Sequence, residues 1–218
     1  MMNRIIADKT GMSVGQLAGI KNIIFDLGGV IIDIRQNDTV EQFKAFGFAD
    51  FETIYTQIKQ THLFDLLETG KIPPQAFRIE LRKYHNHLSN EQIDRAWNAM
   101  IGEMPENNIL LLKTLRQKYR TFLLSNTNAI HMDYLIRHLK AKFGYNPLSE
   151  MFEHTYYSHE IGFRKPNTDI YEFVLQNAGL KPEETLFIDD LEANVTGARI
   201  SGLFSFHLEH NTIADLFN

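Results

Sequence analysis

NIIFDLGGV, residues 22–30, is an apolar run rich in branched and aromatic side chains that stops on an aspartate and turns on two glycines. A short run of this kind is the pattern of a buried β-strand, and the Asp-Leu-Gly-Gly that follows is the pattern of a tight exit loop. Four further runs share the character of the first: residues 121–125, 155–158, 185–189 and 203–208. Helical patterns fall between most of them. One begins at Met104-Pro105 and carries Ile109, Leu112 and Leu115; another begins at Pro166, carries Ile170, Val174 and Leu175, and stops at Gly179. Strands that alternate with helices predict an α/β fold, a doubly wound parallel sheet covered on both faces.

The interval between the first two strands is too long for one crossover helix, so it is read as an insertion. Its patterns are helical. Phe43, Phe46, Tyr55 and Ile58 suggest two helices separated at Gly47, and Pro73-Pro74 opens one with Phe77 and Leu81. Ser89-x-x-Gln92 is a capping-box spacing followed by Ile93, Ala96, Trp97 and Met100. The expected organisation is a core from residues 1–35 and 104–218, with an α-helical cap of about four helices over 36–103. Residues 1–20 read as a short leader helix or arm.

Composition narrows the class. Hydrophobic residues are 44% of the 218, with 16 Phe, so a packed core is expected. A net charge of −5 without a basic run argues against nucleic acid and anionic membrane as partners. No apolar stretch has the length of a bilayer span, and no secretory signal pattern opens the chain. The absence of cysteine excludes a disulfide framework and a thiolate zinc site. These features are compatible with a cytoplasmic protein, monomer or homodimer.

Polar clusters stand where the apolar runs end: Asp26, Ser125-Asn126, Arg164-Lys165-Pro166 and Asp189-Asp190. In an open parallel sheet such ends share one crevice. Three carboxylates about 5 Å apart repel by about 3 kcal/mol per pair at an effective dielectric near 20, so the crevice needs cations. Oxygen ligands without Cys or a His cluster favour Mg²⁺, and Lys165 adds a fixed charge for phosphate and nucleophile. Ser125 and nearby backbone N–H groups suit a phosphoryl oxygen.

FDLGGV, LLSNTN, GFRKP and FIDDLEANV, in that order at strand ends, resemble the four motifs of the haloacid dehalogenase superfamily of hydrolases, over residues 21–210. The resemblance implies that Asp26 is the nucleophile and a metal ligand, that the Gly28 carbonyl and Asp190 are ligands, and that Asp189 assists or binds Lys165. It implies phosphate contacts from Ser125 and Asn126, a steadying Lys165, and Asn194 behind the metal. Thr127, Asn128 and Arg164 are further candidates for substrate contact. The expected activity is Mg²⁺-dependent hydrolysis of a small phosphorylated metabolite, on the pattern of bacterial sugar-1-phosphate phosphatases. One departure stands out: many relatives carry an acid/base Asp two residues after the nucleophile, and this chain has Gly28. Two other readings share the scaffold, a metal-independent 2-haloacid dehalogenase and a phospho-ligand-binding protein without turnover. The histidines show no metal spacing; His85 and His87 are read as solvated surface.

Overall fold

A computed structural model describes residues 19–60, 62–209 and 212–217; the arm expected over residues 1–20 lies almost wholly outside them. Five parallel strands form one sheet: β1 (Asn22–Phe25), β2 (Arg120–Ser125), β3 (His154–Tyr157), β4 (Thr185–Asp189) and β5 (Phe204–His207), in the order β3-β2-β1-β4-β5. β1 is central because it is buried throughout and pairs on both sides, Phe25 opposite Leu123 on one neighbour and Ile188 on the other. That register sets the residue after β1, Asp26, level with the last residue of β4, Asp189.

Successive strand residues point to opposite faces, and each face has its own cover. Ile23, Phe25, Leu123, Leu186 and Ile188 pack under α6 (Glu106–Arg116), α7 (Ala129–Phe143), α8 (Leu148–Met151) and α12 (Ile213–Phe217). Ile24, Phe122, Leu124 and Phe187 pack under α10 (Thr168–Ala178) and α11 (Glu192–Ile200). The helix expected from Pro166 therefore starts two residues later, and it ends at Gly179 in the left-handed region. A short α9 (Ser158–Ile161) continues directly from β3.

Among the described residues of 36–103 lie five helices, one more than the pattern suggested: α1 (Gln36–Ala45), α2 (Phe51–Gln60), α3 (Leu63–Glu68), α4 (Pro74–Arg82) and α5 (Asn90–Asn98). They enclose an apolar cluster centred on Phe43, Phe51, Phe77, Leu81, Ile93 and Trp97, which Ile130 of α7 joins from the core. Phe43 and Phe51 stack with centroids 4.0 Å apart. The capping box at α5 forms in both directions: the Ser89 N–H donates to Gln92 Oε1 at 2.9 Å, and the Gln92 N–H to Ser89 Oγ at 3.2 Å. The chain enters and leaves this helical layer side by side, with Arg35 N–H donating to Met100 O at 2.8 Å and Asp33 N–H to Glu103 O at 3.0 Å.

Phe43 is fully buried, whereas Leu110 is 63% exposed on α6. Phe43→Ala should cost about 3–5 kcal/mol in urea denaturation, and Leu110→Ala within about 0.5 kcal/mol.

Candidate active site

Every parallel strand delivers its carboxyl end to the same edge of the sheet, and the charged residues that follow meet there. Lys165, reached from β3 through α9 and a loop, is 1% exposed and runs its ammonium in beneath β1, β2 and β4. Its Nζ donates to Asp26 Oδ1 at 2.7 Å, to Asp189 Oδ2 at 2.6 Å and to the Leu124 carbonyl at 2.9 Å. All three ammonium protons are accounted for.

The other oxygen of Asp189 is held as firmly. Oδ1 accepts from the Leu191 N–H and from Asn194 Nδ2, each at 2.9 Å. Asn194 is in turn fixed by its carbonyl, which accepts from the Tyr171 hydroxyl at 2.7 Å. Asp190 stands beside this pair, and oxygens of Asp26, Asp189 and Asp190 all lie within 4.8 Å of one another. Three carboxylates against one ammonium leave a net charge of −2 in a mostly buried space. Burial, opposed by Lys165 and reinforced by Asp189, pushes the Asp26 carboxyl up to about 7. Burial and then Asp189 also push Asp190 upward. Burial works against the Lys165 charge, but Asp189 and Asp26 outweigh it and raise the ammonium above its usual range. Such a donor set, all oxygen and over-negative, fits a hard divalent cation such as Mg²⁺.

The glycines after Asp26 have separate tasks. Gly29 has φ +71°, and a Cβ on it would lie 2.3 Å from Asp190 Oδ2, so the turn brings backbone against the acid where no other residue fits. At Gly28 a Cβ would lie 2.9 Å from Ile34 Cγ1. The space in which an acid/base Asp would begin is filled by Ile34.

The remaining sequence candidates divide by what they touch. Ser125 is buried at the end of β2. Asn126 forms a reciprocal clamp on the Lys165 main chain, Nδ2 donating to its carbonyl and Oδ1 accepting from its N–H, both at 2.9 Å. Nδ2 carries a second proton besides the one given to the Lys165 carbonyl. Thr127 is buried, its N–H donating to Ser158 Oγ at 2.9 Å while that hydroxyl donates to Thr127 O at 3.0 Å. Asn128 spends its side-chain oxygen capping α7, accepting from Ile130 and His131 N–H, each at 3.1 Å.

Arg164 turns away from the carboxylates toward the helical layer. It bonds Asp65 and lies 2.8 Å from Glu68 Oε2, both on α3. Sequence reasoning did not find Asp65, Glu68 or Ser158. The first two are acids on an amphipathic helix with no local motif, and Ser158 is a lone hydroxyl. A cleft of about 400 Å³ opens beside this seam, walled by Asp65, Thr69 and Lys71 on one side and Arg164, Lys165 and Asn167 on the other. Asp26 and Asp190 do not line it, so it flanks the carboxylate cluster rather than containing it.

Residues 20–202 match the haloacid dehalogenase-like hydrolase family. The chain is 33% identical over 192 residues to D-ribitol-5-phosphate phosphatase of Bacteroides thetaiotaomicron, covering 88% of this chain and 93% of that protein. It is 24% identical over 212 residues to glyceraldehyde 3-phosphate phosphatase of Pyrococcus furiosus, 90% and 84% of the two chains. A HAD family enzyme of Bacteroides thetaiotaomicron, crystallised with magnesium and inorganic phosphate, superposes with a TM-score of 0.83 at 35% identity, over 91% of this chain and all of that one.

Removing Lys165 leaves the carboxylates uncompensated, so Lys165→Met should cost about 3–5 kcal/mol in urea denaturation with chelator present. Asp26→Asn lowers the negative charge and should not destabilise under the same conditions. Because the folded state holds the Asp26 proton from the ordinary 3.8 up to about 7 while the unfolded chain has released it, wild-type stability in chelator should fall as pH rises across that window. The pH series should be flatter in Asp26→Asn, and added Mg²⁺ should raise the wild-type denaturation midpoint.

Proposed function

The chain belongs to the haloacid dehalogenase-like hydrolases, and from that premise we propose that it is a Mg²⁺-dependent phosphatase that removes the phosphate of a small hydroxylated metabolite by attack from Asp26. The observation that carries the reading is the buried Lys165 ammonium shared between Asp26 and Asp189, with Asp190 beside them. The substrate class is supported by the two relatives whose names give phosphates of a pentitol and a triose.

Each residue then has a definite task. Lys165 fixes one oxygen of Asp26, which sets the plane of the carboxylate for in-line approach to phosphorus. A carboxylate oxygen of Asp26 bonds to phosphorus as the bond to the leaving oxygen breaks, and the departing oxygen takes a proton from water. Water then attacks the phosphorus of the aspartyl-phosphate, releasing inorganic phosphate and restoring the carboxylate. Ser125, the second amide proton of Asn126 and the Lys165 charge stabilise the phosphoryl oxygens. Asp26, Asp190 and the Gly28 carbonyl, with Asp189 behind them, would hold Mg²⁺, which when bound masks the negative charge that otherwise repels phosphate. Residues 36–103 act as the cap over residues 1–35 and 104–218, a division supported by the separate apolar cluster of α1–α5.

The leaving group is the point at which Gly28 matters. An anomeric sugar phosphate, with its more acidic leaving oxygen, tolerates the missing acid better than a primary alkyl phosphate does, yet a pentitol has no anomeric carbon. Sugar 1-phosphates therefore belong in the same panel as terminal polyol phosphates. A carbon–halogen displacement gains nothing from the Asp189-Asp190 pair, which adds negative charge without a phosphate to balance.

Phosphate release from p-nitrophenyl phosphate should require Mg²⁺, stop with chelator, and fall by at least about a thousandfold in Asp26→Asn. Chloride release from 2-chloropropionate, unaffected by chelator, would reverse the assignment.

A further inference from the structure

The exit loop after β1 meets two different neighbours at successive residues. At Gly29 a Cβ would strike Asp190, and at Gly28 it would lie 2.9 Å from Ile34 Cγ1 and 3.3 Å from Ile34 Cδ1. Gly29 is also confined by its left-handed backbone, whereas Gly28 is not among the residues at positive φ. Its backbone therefore admits any residue. Apart from its chain neighbours, Ile34 is the only described residue that a Cβ at position 28 would meet within 4 Å. One side chain decides what can stand two residues beyond the nucleophile.

Ile34 is held in that place. The residues on either side are tied to the segment returning from the helical layer, Asp33 N–H donating to Glu103 O at 3.0 Å and Arg35 N–H to Met100 O at 2.8 Å. A Cβ at Gly102 would lie 2.8 Å from both Cβ and O of Asp33, so the two segments have little room to shift. Branching at Cβ restricts the isoleucine further. It is nevertheless 37% exposed, so an apolar face borders open space beside the loop that carries Asp26. The polar groups around Asp26 are committed elsewhere. Lys165 spends its three protons on Asp26, Asp189 and Leu124, and the Tyr171 hydroxyl donates to Asn194 O at 2.7 Å.

We propose that Ile34 sets the leaving-group specificity of the enzyme: it plugs the position two residues beyond Asp26, so no side-chain acid protonates the departing oxygen there and turnover follows the acidity of the alcohol released. The inference rests on the phosphatase reading above and names the residue that fixes which esters such a site cleaves. As the Asp26 carboxylate bonds to phosphorus, the ester bond breaks with its electron pair on the departing oxygen, and the proton that oxygen gains comes from water. An oxygen that carries negative charge well leaves without help, and one that does not leaves slowly. A positioned acid contributes about 10²–10⁴-fold, which is the margin that the plug controls.

The test compares kcat/KM for p-nitrophenyl phosphate and phenyl phosphate, which share a ring and differ in the acidity of the phenol, using the full chain with Mg²⁺. The wild type should favour the nitrophenyl ester by at least about a hundredfold. Gly28→Asp combined with Ile34→Ala should narrow the gap to about tenfold, because the added carboxyl then has room to donate. Neither substitution alone should narrow it. A wild-type ratio near one, a pair that leaves the gap as it was, or Gly28→Asp alone narrowing it as far as the pair, overturns the plug. A second measurement needs no turnover: in urea with chelator, Gly28→Ala should lower the denaturation midpoint of the wild type but not of Ile34→Ala. Equal losses in the two backgrounds overturn the contact. Should the paired variant fail to fold, as read by circular dichroism, the wild-type ratio and the urea comparison decide. Loss of p-nitrophenyl phosphate turnover in Asp26→Asn reports the phosphatase reading separately, so the plug can fail while that reading stands.

Discussion

One ammonium group organises the molecule. Lys165 sits almost without exposure between Asp26 and Asp189, and removing it leaves the two acids unbalanced in a space with little water. The parallel sheet exists, in functional terms, to bring these residues level: β1 and β4 pair so that their acidic ends coincide, and β2 gives its Leu124 carbonyl as the third acceptor. Excess negative charge is what remains once the lysine has satisfied two acids. That excess makes the site receptive to a cation first and to an anionic ester afterwards.

Asn194 and Asn126 give the arrangement its rigidity. The first holds Asp189 from α11, and the second holds the Lys165 main chain from the loop after β2. Neither contributes charge. Each lowers the number of orientations that a charged group can adopt, which keeps reorganisation small when charge develops in a reaction. Ile34 contributes in the opposite sense, by occupying the place where an acid two residues beyond Asp26 would begin. Apolar packing thus decides which side chains can stand beside Asp26 as much as polar groups do.

The sheet was legible in the sequence because buried parallel strands are short continuous apolar runs, and NIIF and TLFID are such runs bounded by turns. The meeting of Asp26, Lys165 and Asp189 followed from strand ends alone. The helical layer was read less completely: α3 is six residues with two acids turned toward Arg164, too short for a periodic signal. The pairing of Arg164 with Asp65 and Glu68 spans almost half the chain and has no local trace. Asn126 was expected at phosphate from the resemblance of LLSNTN to a family motif, and its hold on the Lys165 backbone depends on a loop conformation that no spacing encodes. Trp97 read as core, which it is; that its N–H has no acceptor among the described residues is visible only once the neighbours are placed.

Arg164 and Lys165 are consecutive residues with opposite allegiances, one fastened to α3 and the other to the buried acids. Lifting the helical layer away from the sheet must part Arg164 from two acids whose side chains are only partly buried. Ion pairs of that kind are worth about 1 kcal/mol or less and weaken as electrolyte is added. The lysine contacts, sealed from water, are screened far less. The two halves of one dipeptide thus respond differently to ionic strength: dissolved salt weakens the hold of Arg164 on the helical layer while the charges around Lys165 keep their spacing.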